Sequence, residues 1–416
     1  FVTQFGEGEM DGSSWEQALD VAGFRKLLSG SVDLSKSTIY MSQGKYVMSE
    51  ESGLGVIVRK NIKAIKGGYS QFSEGTDVSA RDIDAYVTVI SGDVNGNKQA
   101  DAGDCGLLLV KKGHIVIEGV TFQYGYVSEA DASTTECGSG IYVSGGVGDT
   151  SIELTDCVIR ACTSAVFVLS GQVRLNKVNL LDNKAVGRGG AVRCSSKTAV
   201  VFMNGCLLKG NSHNGSWGNG IQMSEGHICI NNTTLIDNMG TGAALNGGGS
   251  ILLTNNTIIG NASDSHGAVR CETGAGGDTK FINNLLISEN PSAPSFNLNG
   301  SNFEAFSKGY NVYQRVTGIT MSASDTAYPN PVNGMLNEKG VYVWDLNQIG
   351  SVKGYATKQA VIEVAKSFNP VTSPIADLGE VFVEWVGEDA FGIDQRGVTR
   401  NANKMQAGAY DAVLTN

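Results

Sequence analysis

Proline is scarce, with 6 residues in 416. No apolar stretch approaches the roughly 20 residues that a membrane-crossing helix needs, so no membrane span is expected. Basic residues are also in deficit. The 31 Lys and Arg face 41 Asp and Glu, and the net charge of −10 argues against general nucleic-acid binding and for solubility. No phosphate-binding loop is present, because Gly247-Gly-Gly is a turn followed by no Lys-Ser/Thr pair. A Gly-x-Ser-x-Gly elbow between strand and helix is missing, which removes support for a hydrolase of that design. The eight Cys show no zinc spacing. The chain shows no signal peptide, and its start at Phe1 is the start expected after removal of an export segment. What is plentiful is glycine, 55 residues, as many tight turns with positive φ require.

What is present is a repeat. Seven copies share an apolar-x-apolar run, a small polar turn and a second apolar-x-apolar run, beginning at His114, Ser151, Gln172, Val200, His227, Ser250 and Thr279. Strand alternation at an irregular period in the twenties signals a parallel β-helix. One copy is too short to bury its own apolar face and must stack on its neighbours. The fourth position (Ile117, Leu154, Leu175, Met203, Ile230, Leu253, Ile282) and the ninth (Phe122, Ile159, Leu180, Leu208, Leu235, Ile258, Ile287) are expected to form interior ladders. The twelfth position holds Asn183, Asn211, Asn238, Asn261 and Asn290, at steps of 28, 27, 23 and 29 residues. Asn tolerates left-handed turn geometry, and stacked amides hydrogen-bond along the axis.

A third strand precedes each copy, as in Gly140-Ile-Tyr-Val, Ala165-Val-Phe-Val, Ala191-Val-Arg-Cys, Gly220-Ile-Gln-Met and Ala268-Val-Arg-Cys. Three strands per coil define a right-handed β-helix, since parallel crossovers are right-handed. The expected fold class is therefore all-β, a right-handed parallel β-helix of three sheets. Cys157 and Cys206 share the inward seventh position, and Cys194 and Cys271 share another inward column. They read as small buried hydrophobes, with a Cys105–Cys137 disulfide as an open alternative.

Three regions follow. Residues 1–60 form an N-terminal cap with the first strands. A helix is expected over Asp11 to Leu28 behind a capping box at Ser13-Ser-Trp-Glu-Gln. Residues 61–290 form the β-helix. Residues 291–416 form a C-terminal segment, with a helix expected over Thr357 to Phe368 and a strand over Glu380 to Val386. The outward third position of four successive copies is Phe202, Cys229, Leu252 and Phe281. Such an apolar stripe needs a cover, so residues after about Ser295, or a partner chain, are expected to fold across it.

Leu180-Leu-Asp-Asn183 followed by Gly189-Gly-Ala-Val192 resembles the paired FxxN and GGAI repeats of polymorphic outer-membrane proteins, and Ile258-Ile-Gly-Asn261 with His266-Gly-Ala-Val269 is a second, imperfect copy. Asp11-Gly-Ser-Ser-Trp-Glu-Gln-Ala-Leu followed by Thr38-Ile-Tyr-Met-Ser-Gln-Gly-Lys-Tyr resembles the start of secreted bacterial right-handed β-helix proteins. Gly392-Ile-Asp-Gln-Arg-Gly-Val-Thr-Arg and Gly408-Ala-Tyr-Asp are similar to the close of the choice-of-anchor Q group. The resemblance covers both ends and the repeats and fails over about Asn297 to Gly387. It implies export and an extracellular or outer-membrane-surface address. It implies no reaction.

The outward positions of the third strand form a column of Tyr142, Phe167, Arg193, Gln222, Asn246 and Arg270. Coils lie about 4.8 Å apart, close to the size of a sugar ring, so aromatic, amide and guanidinium groups in this column suit an extended polysaccharide. The loops entering these strands add His213, Trp217 and His266, with Glu136, Glu225 and Glu272 nearby in sequence. The candidate glycan-binding residues are therefore Tyr142, Arg193, His213, Trp217, Gln222, His266 and Arg270. The plain alternative is a solvated face with each Arg paired to a nearby acid. No catalytic residue can be assigned, because a glycosidase needs two carboxylates at a set separation that sequence does not measure. Arg193 and Arg270 are the candidates for a lyase base. Asp93, Asn95, Asn97, Asp101 and Asp104 place oxygens at loop positions 1, 3, 5, 9 and 12, as in a calcium loop, but Lys98 replaces the glycine of position 6. A polar turn without metal is the favoured reading there. The leading expectation is thus a glycan-binding surface β-helix. The alternatives are a polysaccharide lyase or glycoside hydrolase on the same face, and a structural or adhesive stalk.

Overall fold

A computed structural model describes residues 1–49, 53, 55–128, 139–185, 189–213, 218–260, 266–272, 278–290, 292–299, 304–318, 320–328, 334–336, 342–344 and 354–409. The chain divides into two compact units, residues 1–187 and 188–416. Each is built of parallel strands in three sheets.

In the first unit, the first sheet pairs Leu34–Ser42, Ile62–Tyr69, the second half of Leu108–Glu118, Thr150–Thr155 and the second half of Val166–Asn176. The second sheet pairs Gly44–Val47, Thr88–Ser91, Val120–Gln123, Val158–Arg160 and Asn179–Leu181. The third pairs Val56–Arg59, the first half of Leu108–Glu118, Ile141–Ser144 and the first half of Val166–Asn176. The sequence ladders hold. Ile117, Leu154 and Leu175 stand opposite one another, as do Phe122, Ile159 and Leu180, and all are fully buried. Outside, the first sheet is polar, with Glu153 and Arg174 in register and 3.7 Å apart.

The N-terminal cap differs from expectation. Trp15–Gln17 is a 3-10 turn, and helix α1 runs only over Val21–Ser29. Asp20, not the Ser13-Ser14 pair, starts it by accepting Gly23 N–H at 2.7 Å. Trp15 is spent on packing. Its ring lies 4.8 Å from Phe1 and 5.6 Å from Tyr69, and its Nε1–H donates to Asp77 O at 2.9 Å.

In the second unit, the first sheet pairs Ala199–Asn204, His227–Asn231, Ser250–Thr254, Asp278–Ile282 and Glu304–Ser307. The second pairs Leu207–Lys209, Thr234–Ile236, Thr257–Gly260, Leu285–Ser288, Val312–Tyr313 and Thr326–Ala327. The third pairs Val192–Cys194, Ile221–Met223, Leu245–Gly247, Val269–Glu272, Phe296–Asn299 and Val316–Thr317. In the first unit coil strands start before residue 61, and in the second they continue past residue 290.

The seventh copy is displaced by one residue. Leu253 pairs with Phe281 and Ile258 with Leu286, so Phe281 and Leu286 are interior, in place of Ile282 and Ile287. Phe281 stacks on Phe296 with centroids 4.8 Å apart. A one-residue slip moves every side chain to the opposite face, so Lys280 takes the outward place expected of Phe281 and Ile282 becomes outward.

A polar seam accounts for the displaced register. Down the interior at the first turn, Cys206 N–H donates to Thr233 Oγ1, Thr233 N–H to Asn256 Oδ1, Asn256 N–H to Asn284 Oδ1, Asn284 N–H to Asn311 Oδ1, and Asn311 N–H to Asp325 Oδ1, all at 2.8–3.2 Å. Every acceptor residue is at most 1% exposed. Aligning Asn256 with Asn284 satisfies buried amides that a one-residue offset would orphan. The preceding residues Asn232, Asn255 and Asn283 adopt φ of 49–59°, the left-handed region Asn tolerates. The twelfth-position column survives in part. Asn211 N–H and Nδ2 donate to Asn238 Oδ1 at 3.1 and 2.9 Å. There the left-handed conformation falls on the residue before, Asp182, Gly210 or Asp237, not on the stacked Asn. Asn261 lies outside the described residues, and the register shift removes Asn290 from the column.

The C-terminal segment lies over Phe202, Cys229 and Leu252 of the apolar stripe, whereas Phe281 is interior. Helix α2, Lys358–Lys366, starts at Thr357, whose Oγ1 accepts Ala360 N–H at 3.1 Å. The expected strand over Glu380 to Val386 is instead helix α3, Leu378–Val386. Both helices pack on Val200, Phe202, Cys229, Leu252 and Ile282, and the Phe382 ring lies 5.1 Å from Phe202. Ile282, outward in register with Thr254, joins this apolar flank, while Lys280 holds the place expected of Phe281. The closing motif is a clasp. Buried Arg400 donates to Asn232 Oδ1 at 2.8 Å and Gly408 O at 2.9 Å, Asn232 Nδ2 donates to Ile393 O at 2.7 Å, and Gln395 bridges Thr234 and Cys206 O.

Candidate functional site

The expected column falls into both units and is different in each. In the first unit Ile57, Leu109, Tyr142 and Phe167 do share the outward face of the third sheet. That face is not solvated. Tyr142 is 0% exposed and packs edge-on against Phe167 at 5.2 Å, with Leu109 beside it. Tyr142 is therefore a packing residue, not a stacking platform for a ligand. An aromatic at an outward strand position buries well over a hundred Å² when anything lies across it.

In the second unit the register places Arg193, Gln222, Asn246, Arg270 and Asn297 on successive rungs of one sheet. Arg193 and Arg270 are half-buried, and Arg193 Nε donates to Ser195 Oγ at 3.1 Å. Three rungs separate the two guanidinium-bearing residues, about 14 Å at about 4.8 Å per rung. Between them Gln222 and Asn246 are each 1% exposed. Gln222 Oε1 accepts Gly218 N–H at 2.7 Å and Asn246 Nδ2 at 3.0 Å, and its own Nε2 donates to Met223 O at 3.2 Å. Gln222 is thus not a ligand contact, as the sequence suggested, but a brace that fixes Gly218, the residue after Trp217. Trp217 and Glu136 lie outside the described residues, as does the side chain of Glu272.

His213 ends the short strand Ser212–His213, half-buried, with its N–H donating to Met239 O at 3.2 Å. His266 is half-buried just before Gly267 at the start of the Arg270 strand. Glu225 lines a separate small cleft with Lys197, His227, Ser250 and Thr372. His227 stands under the C-terminal segment, its Nε2 3.2 Å from Thr372 O, and burial holds it below its ordinary value against the pull of the Thr372 and Lys197 carbonyls.

The acidic loop of the first unit is densely hydrogen-bonded. Asp93 is 1% exposed, its carboxylate 2.6 Å from Lys45 Nζ and accepting Lys98 N–H at 3.3 Å. These hydrogen bonds and the Lys45 charge hold Asp93 below the usual carboxylate range against desolvation, the largest effect, which alone would raise it. Asp104 accepts Val94 N–H at 2.9 Å and Asp101 N–H at 3.1 Å, while Asp101 accepts both Asn95 Nδ2 (2.9 Å) and Asn97 Nδ2 (2.7 Å). The five residues are together in one loop, with these oxygens turned to N–H donors. Among the described residues no group of three or more His, Cys, Asp or Glu is arranged to hold a metal ion.

The seven described cysteines are buried, and Cys137 lies outside the described residues. Desolvation pushes the thiols of Cys157, Cys162, Cys194 and Cys271 up to about 12. They are packing groups, not nucleophiles.

Parallel strands in three sheets, stacked interior columns and an asparagine seam define a β-helix. A family model described as Right handed beta helix region matches residues 87–325, and the chain belongs to that family. The comparison with curated proteins gives no match. Among solved structures the chain is similar to the one titled "Crystal structure of pectate lyase Pel9A", with a TM-score of 0.44 and 11% identity over 99% of this chain and 95% of that one. None of the described helices is long and apolar enough to cross a membrane.

Proposed function

We propose that the protein is an exported surface or extracellular β-helix that binds an acidic polysaccharide along the third sheet of its second unit. The observation that carries the reading is the register of Arg193, Gln222, Asn246, Arg270 and Asn297 on one sheet, with half-buried guanidinium groups at rungs one and four. Arginine at a fixed spacing suits carboxylate or sulfate groups on an extended chain, through charge-assisted and bidentate hydrogen bonds. The buried amides between them hold the sheet and the Gly218 turn in place, and Trp217 is the residue proposed to stack on a sugar ring. His213 and His266 are the remaining candidate contacts. Local field, not the net charge of −10, decides such contact binding.

One observation favours the stalk reading instead. Tyr142, Gln222 and Asn246, three of the groups offered to a ligand, are at most 1% exposed. A screen of acidic and neutral glycans with the purified protein separates the two, run beside viscosity and reducing-end assays that register cleavage. Selective retention of acidic glycans supports binding, and chain shortening converts the assignment to a lyase or hydrolase. Retention of none leaves the stalk. Added calcium and a chelator form two further arms, which test whether Asp93, Asn95, Asn97, Asp101 and Asp104 hold a cation.

A further inference from the structure

We propose that the C-terminal helical pair is an acid-released cover of the solenoid, with His227 as its trigger. Helices α2 and α3 lie over Phe202, Cys229, Leu252 and Ile282, an apolar flank that water would otherwise meet. Besides the bond from Lys280 Nζ to Ser367 O at 2.6 Å, the segment is held at two places of different chemistry. At one, Arg400 and Gln395 clasp the turn at Asn232 and Thr234, a contact made of a permanently charged guanidinium, amides and carbonyls that does not titrate below neutrality. At the other, the loop joining the two helices rests on His227, which is 1% exposed and within 3.2 Å of the Thr372 carbonyl. A neutral imidazole donates there through Nε2 and needs no counter-charge.

The charged groups facing His227 from the coil are Lys197 and Glu225, which line the same cleft. The helix-joining loop contributes the Thr372 carbonyl to it. Asp278 stands two rungs away, across Ser250. Protonation therefore puts a cation into a desolvated seam, with Lys197 opposing it and Glu225 favouring it. Because burial holds folded His227 below its ordinary value, the unfolded or undocked form binds the proton more readily. Docking is stable above the ordinary histidine value and weakens as pH falls through it towards the folded value. The Arg400 clasp persists, so the helical pair opens while the chain end stays attached.

Amide hydrogen exchange on the full chain at pH 7.5 and 5.0, corrected for intrinsic rates, reads this out. Each unit by which His227 lies below its ordinary value corresponds to about a tenfold loss of protection in residues 361–383 once it is protonated. The loss should reverse on return to pH 7.5. His227→Gln keeps an N–H donor for Thr372 and should abolish the response. Unchanged protection in the wild type, or the same pH response in H227Q, overturns the proposal. Exchange of the imidazole C2 hydrogen in the wild-type protein titrates His227 directly, even where H227Q fails to fold. A midpoint below the ordinary histidine value supports the trigger, and one at or above it overturns it.

Discussion

Replacing Asn284 by alanine should cost more than almost any other single change. The side chain is 0% exposed. Its Oδ1 accepts Asn256 N–H at 2.9 Å and Asn256 Nδ2 at 3.1 Å, and its Nδ2 lies 3.0 Å from Leu253 O, 3.0 Å from Ile282 O and 3.1 Å from Asn311 Oδ1. Truncation orphans Asn256 N–H and deprives Asn311 Oδ1 of one donor. A buried unsatisfied group costs about 1–3 kcal/mol, and each lost hydrogen bond about 0.5–1.5 kcal/mol net, so the sum is roughly 3–6 kcal/mol. Asn284→Thr copies the rung at Thr233, which accepts Cys206 N–H at 3.2 Å, and should recover part of the loss. Lys63→Ala, at an exposed position of the strand Ile62–Tyr69 in the first unit, is the control and should stay within about 0.5 kcal/mol. Urea denaturation followed by circular dichroism measures all three. A loss below about 1 kcal/mol in N284A would mean that the seam only accompanies the register and does not hold it.

Three other outcomes follow from the same structure. Met203 is 0% exposed and stacks opposite Ile230, so Met203→Asp should lower stability by at least about 3 kcal/mol, and an unchanged melting temperature would contradict the interior ladder. A chain ending before Gly354 loses both helices over Phe202, Cys229, Leu252 and Ile282 and should bind anilinonaphthalene dye and self-associate, whereas a dye-free monomer would show that the flank needs no cover. At pH 8 the buried thiols of Cys157, Cys162, Cys194 and Cys271 should ignore a disulfide reagent in the native state and react fully in guanidinium, and rapid native reaction would show them to be accessible.

The fold was legible because inward ladders repeat at period two across six copies. The seventh misled because its outward face is also buried. Lys280-Phe281-Ile282 offers two adjacent apolar residues, and only the alignment of Asn283-Asn284 with Asn255-Asn256 chooses between them. The same assumption, that outside means solvent, misread Tyr142 and Gln222. Val381-Phe-Val-Glu-Trp-Val carries the β-branched and aromatic residues of a strand, yet Leu378, Phe382 and Val383 recur at helical spacing against Phe202. The clasp was invisible for another reason. Arg400 and Asn232 are 168 residues apart, and a bond between two polar side chains that far apart leaves no periodic trace.

The central functional claim rests on two arginines. Titrating the protein with an acidic polysaccharide retained in the glycan screen, at low and high salt, tests them directly. Arg193→Ala and Arg270→Ala should each weaken binding by roughly 1–3 kcal/mol without altering the fold, and the deficit should shrink as salt screens the wild type. Wild-type affinity in both variants, or affinity indifferent to salt, would place the ligand elsewhere and contradict the account.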